Sequence, residues 1–267
     1  MKVNFLSNNY CNTDNYSEKY RSQNKNSVSF KAHPDFDFLA KKYEVKASSY
    51  FRRGQIYGSP CDSFADVIRT LNKIFGNNSQ EKKKMLIAGI GDSQEPFSLL
   101  AVIKYLTKDK PIKDVVDLNI IDLQSKPSNR ELFDQSYFDG YYPPDFVKSS
   151  FIRDDGKKYG LKTWKRYRVK SEIFQFLKDT YNNPQKSHWD SRVQDVVKDL
   201  DSDYYDVVSI NNTLGYINNE KDIYDTLDNV KRIAKKDSAF ITDPYSKFND
   251  SLADSMTEEY NGIFRKR

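Results

Sequence analysis

Met85-Leu86-Ile87-Ala88-Gly89-Ile90-Gly91-Asp92-Ser93-Gln94-Glu95-Pro96-Phe97-Ser98 is the stretch on which the reading of this chain turns. The apolar run from Met85 to Ile90 predicts a short buried strand over 85–90. A turn with two glycines follows, and then apolar spacing that predicts a helix over 95–106. Glycine lets the backbone turn with φ positive and lets a ligand approach closely at the carboxyl end of a strand. A glycine turn after a strand is also often a mere tight connection, so the rest of the chain must decide.

Working outward, the same alternation continues. Upstream, the apolar positions Phe64, Val67, Ile68, Leu71, Ile74 and Phe75 fall at helical spacing over 61–76, and Gly76 suits the stop. Downstream, strands are expected at 118–122, around 192–197, at 206–210 and at 239–241, with Gly262-Ile263-Phe264 closing the sheet. A helix is expected over 219–235, with Ile223, Leu227, Val230 and Ile233 on one stripe. Strands alternating with helices predict an α/β domain with a mostly parallel sheet and helices on both faces. Between 124 and 190 lies a Lys/Tyr-rich insert containing Pro143-Pro144. Residues 1–47 form a polar N-terminal arm rich in Asn, Ser, Lys and Tyr, with a short helix expected over 35–47. The remainder, 48–267, is the main domain.

Composition narrows the class. The chain has 267 residues, enough for one large domain. Hydrophobic residues make up 37%, so the core must draw on the 19 tyrosines and 17 phenylalanines as well as aliphatics. A net charge of +5 does not call for a nucleic-acid partner. Cys11 and Cys61 lack metal-type spacing and fit a reducing compartment, with one disulfide as the alternative. No apolar run approaches the roughly 18 residues of a membrane helix. The first ten residues lack the apolar segment of a signal peptide, so a cytoplasmic location is expected.

In such a sheet, ligands sit outside the carboxyl ends of the strands. Four features fall there in order: the Gly89–Glu95 turn, Asp122 ending one strand, Asp195 near the next, and Asn211-Asn212-Thr213-Leu214-Gly215-Tyr216 after a third. Asp122 is placed to accept both hydroxyls of a ribose, and Asp195 to meet an adenine edge. Singly, each reads equally well as a cap, a turn or a packed tyrosine. Together, on consecutive strands, they point to an adenosine-type ligand.

These residues resemble a family. Ala88-Gly89-Ile90-Gly91-Asp92-Ser93-Gln94-Glu95-Pro96-Phe97-Ser98 is similar to the A-G-C-S-T-G-E-E-P-Y-S motif of chemotaxis-receptor (CheR-type) methyltransferases. Further pieces follow in that family's order. Ser48-Ser49-Tyr50-Phe51-Arg52 resembles T-x-F-F-R, and Tyr167-Arg168-Val169-Lys170-Ser171-Glu172-Ile173 resembles V-R-V-x-P-E-L. Tyr205 to Ile217 resembles F-D-V-I-F-C-R-N-V-L-I-Y-F, and Asn261 to Arg267 resembles the closing N-x-I-Y-R-R segment. Three positions depart from the pattern: Ser93 replaces the third turn glycine, Gln94 the first acid, and Asn211 the arginine before the Asn.

The resemblance implies a class I methyltransferase fold, Rossmann-like, with a seven-stranded sheet. It implies S-adenosylmethionine as cofactor, S-adenosylhomocysteine as product and a protein carboxylate as methyl acceptor. Glu95 would hold the cofactor's amino group and Asp122 its ribose. Ser48, Gly89, Gly91, Asp195 and Asn212 would complete the cofactor set, and Arg52 and Tyr216 would lie beside the transferred methyl. No metal is implied. His33 and His188, the two histidines, fall outside the positions given roles. Two other readings remain open: a methyltransferase-fold scaffold without turnover, and a methyltransferase acting on RNA or a small molecule.

Overall fold

In the computed structural model the apolar runs lie side by side in one sheet. Residues 64–267 are described, apart from 77–80, 92, 109, 140–143, 154–165, 212, 243–246 and 261. The N-terminal arm, its expected helix, Ser48, Arg52 and Asn212 lie outside the described residues, as does the boundary at 47/48.

The elements run in this order. First come α1 (Phe64–Phe75), β1 (Lys83–Ala88), α2 (Gln94–Thr107), the single turn α3 (Ile112–Val115) and β2 (Val116–Ile121). The insert follows: α4 (Asn129–Gln135), β3 (Tyr137–Asp139), α5 (Pro144–Ser150), β4 (Phe151–Arg153), β5 (Arg166–Val169) and α6 (Ser171–Asn182). Then come β6 (Ser187–His188), α7 (Val193–Val197), β7 (Tyr205–Ser209), α8 (Glu220–Ile233) and β8 (Ala234–Ile241). The chain closes with β9 (Met256–Tyr260) and β10 (Ile263–Lys266).

The main sheet has seven strands in the order β6-β2-β1-β7-β8-β10-β9. Strands β6, β2, β1, β7 and β8 are parallel; β10 runs antiparallel to both β8 and β9. This is the mostly parallel, seven-stranded α/β sheet that was expected. Its five parallel strands wind outward in both directions from β1 and β7, and a terminal antiparallel pair completes the sheet.

Alternation along the strands divides the core. Met85 and Ile87 face one apolar cluster with α1, α2 and α6, whereas Leu86 and Ala88 face the other with α7 and α8. Helix α2 is apolar on nearly every side, and Phe97 and Leu99 to Ile103 are fully buried. The reason is that α1, the insert and the sheet all pack on it. Pro96 is tolerated because the first-turn amides of a helix have no partner within it.

One expectation is corrected, and two features were not expected. Residues 192–197 are not a strand: Val193–Val197 is a short helix, and the edge strand is the two-residue Ser187–His188. The apolar Val193, Val196 and Val197 pack inward at helical spacing, and so short a run fits either period. The insert has a β3-β5-β4 sheet of its own, and α5 and this sheet dock on α2 through Phe146, Phe151 and Tyr167. The buried Ser150 hydroxyl donates to the Ala101 carbonyl at 2.7 Å and seals that contact. Finally, β9 carries Glu258 and Glu259 within an edge strand, where only one face needs to be apolar. No helix among the described residues is long and apolar enough to cross a membrane.

Candidate functional site

Strand β1 has β2 on one side and β7 on the other, so the winding direction reverses beside it. In sheets of this kind ligands sit at the carboxyl ends beside such a reversal, and the candidates Gly89, Gly91, Glu95 and Asp122 lie at those ends.

The turn after β1 is held from three directions. Gly89 and Gly91 have φ of 73° and 53°, a region glycine enters freely. The Gly89 amide donates to the Ile121 carbonyl at 2.8 Å. Above it, the Thr213 hydroxyl donates to the Ala88 carbonyl at 2.8 Å. A methyl group on Gly89 would lie 2.2 Å from the Thr213 oxygen, so only glycine fits. Ser93 also occupies the left-handed region, with φ 63°. That conformation costs a residue with a Cβ roughly 1–2 kcal/mol. The Tyr181 hydroxyl donates to Ser93 Oγ at 2.9 Å, in the interior.

Asp122, expected as a ribose acid, stands just beyond β2 and is 4% exposed. Its Oδ2 accepts from the Gly91 amide at 3.0 Å and its Oδ1 from the Gln124 amide at 2.7 Å. Its own amide donates to the His188 carbonyl at 2.9 Å, and the Ser191 amide donates to its carbonyl at 3.0 Å. The glycine turn, β2 and the segment after β6 are thus joined through one residue. Each carboxylate oxygen retains a further lone pair for a ligand hydroxyl.

Glu95 lies in the first turn of α2 and is 2% exposed. The helix N-terminus favours a negative charge there. Its Oε1 accepts from the Ser209 hydroxyl at 2.5 Å, tying α2 to β7.

Asn211 opens the last of the four strand-end features and stands where the family pattern has arginine. It is fully buried, and neither its amide nitrogen nor its amide oxygen has a hydrogen-bond partner among the described residues. Val207 and Ser209 alternate toward α2, and Asn211 lies two residues beyond the end of β7, in the turn that follows it. A buried polar group left unpaired costs about 1–3 kcal/mol.

Two expected residues sit further out. Asp195 is in the first turn of α7, and its carboxylate accepts from Arg192 Nε at 2.8 Å, half exposed. Tyr216 ends the short 3-10 turn after β7 and is 77% exposed. Leu123, directly after Asp122, is an apolar side chain left 62% exposed. Sequence reasoning missed Ser209 and Tyr181 and gave Thr213 and Asn211 no role of their own. For Ser209 and Asn211 a signal existed, since polar residues at alternate positions interrupt an otherwise apolar strand. Tyr181 carried none among 19 tyrosines.

No protein-family description matches the sequence, and no curated protein matches it. Solved structures do resemble the fold. One is the DszA carbon methyltransferase, at 14% identity and TM-score 0.36, over 76% of this chain and 41% of that one. A second is the PH0226 protein of Pyrococcus horikoshii, at 10% identity and TM-score 0.31, over 82% and 72%. A third is a phosphoethanolamine N-methyltransferase of Haemonchus contortus in complex with phosphomonomethylethanolamine and S-adenosylhomocysteine, at 10% identity and TM-score 0.30, over 79% and 36%. The chain thus spans less than half the length of two of these proteins.

Proposed function

We propose that this protein is an S-adenosylmethionine-dependent methyltransferase acting on a protein carboxylate. The observation that carries the cofactor reading is the convergence of two buried carboxylates and one orphaned buried amide at the winding reversal. The residues fit the cofactor's parts. Asp122 is available to ribose hydroxyls and Leu123 to the flat face of a base. Glu95 suits a cationic amino group. Asn211 offers a donor to the adjoining carboxylate and an acceptor to the same amino group. Gly89 and Gly91 let the backbone come close.

When bound, the cofactor supplies an electrophilic methyl group on a sulfonium sulfur. A carboxylate acceptor is already ionised at neutral pH, so the protein needs no general base. Its contribution is alignment of the acceptor oxygen with the methyl carbon, together with exclusion of water. Arg52 is the candidate to hold the acceptor carboxylate through two parallel hydrogen bonds. Tyr216, exposed beyond β7, is the candidate to orient it. Ser48, Asp195 and Asn212 complete the proposed cofactor set.

The test is transfer of labelled methyl from S-adenosylmethionine to a protein extract, followed by mild alkali. A carboxyl methyl ester releases its label as methanol. Alkali-labile label on protein, lost with Arg52→Ala, is the expected result. Alkali-stable label, or label on RNA or small molecules, would overturn the acceptor assignment. Cofactor binding with no transfer to any acceptor would identify a scaffold.

A further inference from the structure

Helix α6 is the last element of the insert, and it lies along α2. At its first turn Glu172 pairs with Lys104 of α2 at 3.0 Å and accepts from the Ile112 amide at 2.5 Å. Just before it, the Lys170 amide donates to the Ser150 carbonyl at 2.9 Å, which fixes the helix to the insert. At its far end Tyr181 reaches the glycine turn through Ser93 Oγ. The tyrosine is itself locked in place. Its ring meets Trp189 edge-on at 4.9 Å, and the Trp189 indole N–H donates to the Tyr181 carbonyl at 3.1 Å. A residue with a Cβ is thus kept in left-handed backbone geometry two positions before Glu95, by a hydroxyl from a different element.

We propose that Tyr181 is a positioning residue that holds the β1–α2 turn in its ligand-ready shape, and that the insert helix α6 thereby sets the turn's rigidity. A serine, not a glycine, at the turn's third left-handed position is what creates this dependence. Glycine adopts the turn unaided, whereas serine needs the contact. In its affinity arm the proposal rests on the cofactor reading above; in its exchange arm it does not.

The experiment compares wild type, Tyr181→Phe, Ser93→Gly and the double variant, because phenylalanine keeps the ring packing and removes only the hydroxyl. Without any ligand, amide hydrogen exchange of the peptide spanning 88–98 is expected to be at least fivefold faster in Tyr181→Phe, with exchange in β7 and β8 unchanged. Dissociation constants for S-adenosylhomocysteine are expected to rise three- to tenfold in Tyr181→Phe, and by less than twofold when the same change is made on Ser93→Gly. Unchanged exchange in the turn would overturn the proposal whatever the protein binds. Faster exchange everywhere, or an equal Tyr181→Phe effect in both backgrounds, would reduce Tyr181 to general packing and also overturn it. If wild type exchanges as expected but binds no S-adenosylhomocysteine, the cofactor reading fails and the clamp stands.

Discussion

At the amino edge of the sheet, polar groups are matched with one another. Asp206 on β7 accepts from the Lys84 amide at 2.8 Å and pairs with Lys235 at 3.1 Å. Lys186 pairs with Asp117 at 2.5 Å, and Lys266 with Asp203 at 2.8 Å. At the carboxyl edge the carboxylates are held differently: Asp122 accepts from the Gly91 and Gln124 amides and Glu95 from the Ser209 hydroxyl, beside a turn with three left-handed positions. The same strands contribute to both edges, so strand chemistry is not the cause. The amino edge carries its charge in ion pairs; the carboxyl edge carries it on carboxylates bonded to backbone amides and a hydroxyl, the arrangement on which the proposed site rests.

The sharpest way to break this contrast is Gly89→Ala. Left-handed strain and a methyl driven against Thr213 together predict a loss of about 3 kcal/mol. Urea denaturation measures it, and a loss under 1 kcal/mol would mean the turn is not constrained as described. On the other edge, Asp206→Ala removes the acceptor for one amide and the partner of Lys235. It should lower stability by about 2 kcal/mol, while leaving ligand affinity within twofold of wild type. A matching loss of affinity would erase the distinction between the edges.

Asn211→Leu sharpens the contrast further. An apolar side chain of similar size should leave stability unchanged or raise it by about 1 kcal/mol. Affinity for S-adenosylhomocysteine should fall about tenfold, which corresponds to about 1.4 kcal/mol. Clear destabilisation together with unchanged affinity would make Asn211 an ordinary core residue.

The smallest effect concerns the far edge of the sheet. Burial would raise the Glu259 carboxyl, but Arg265 at 2.7 Å and Lys73 at 2.9 Å outweigh it and hold it below its usual range. Its stabilisation is therefore complete above the ordinary carboxylate range and is lost as pH falls through the lowered value. Glu259→Gln should cost about 0.5–1 kcal/mol near neutrality and progressively less in acid. A constant difference across that range would show that the charge has no part in it.

The sheet was legible because buried parallel strands are apolar throughout. Met85 to Ala88 and Val207-Val208 announce themselves, and the α8 stripe matches the helical period. The three-residue strands of the insert and the two-residue β6 were not legible, since their register comes from neighbours and not from their own pattern. The places of Gly89, Gly91, Glu95 and Asp122 at the strand ends were legible because the apolar runs before them fix where each strand stops. Asn211 was legible only as a polar break after an apolar run, and not as a buried amide without a partner among the described residues. Tyr181 was not, because its contact with Ser93 spans 88 positions of sequence.

The central claim is that the carboxyl edge holds S-adenosylmethionine, and calorimetric titration with S-adenosylhomocysteine tests it most directly. Wild type should bind at one saturable site. Asp122→Asn, which keeps an acceptor for the Gln124 or Gly91 amide but loses the charge and an acceptor, should bind at least tenfold more weakly with its fold intact by circular dichroism. No binding at millimolar ligand, or equal binding by both proteins, would contradict the account.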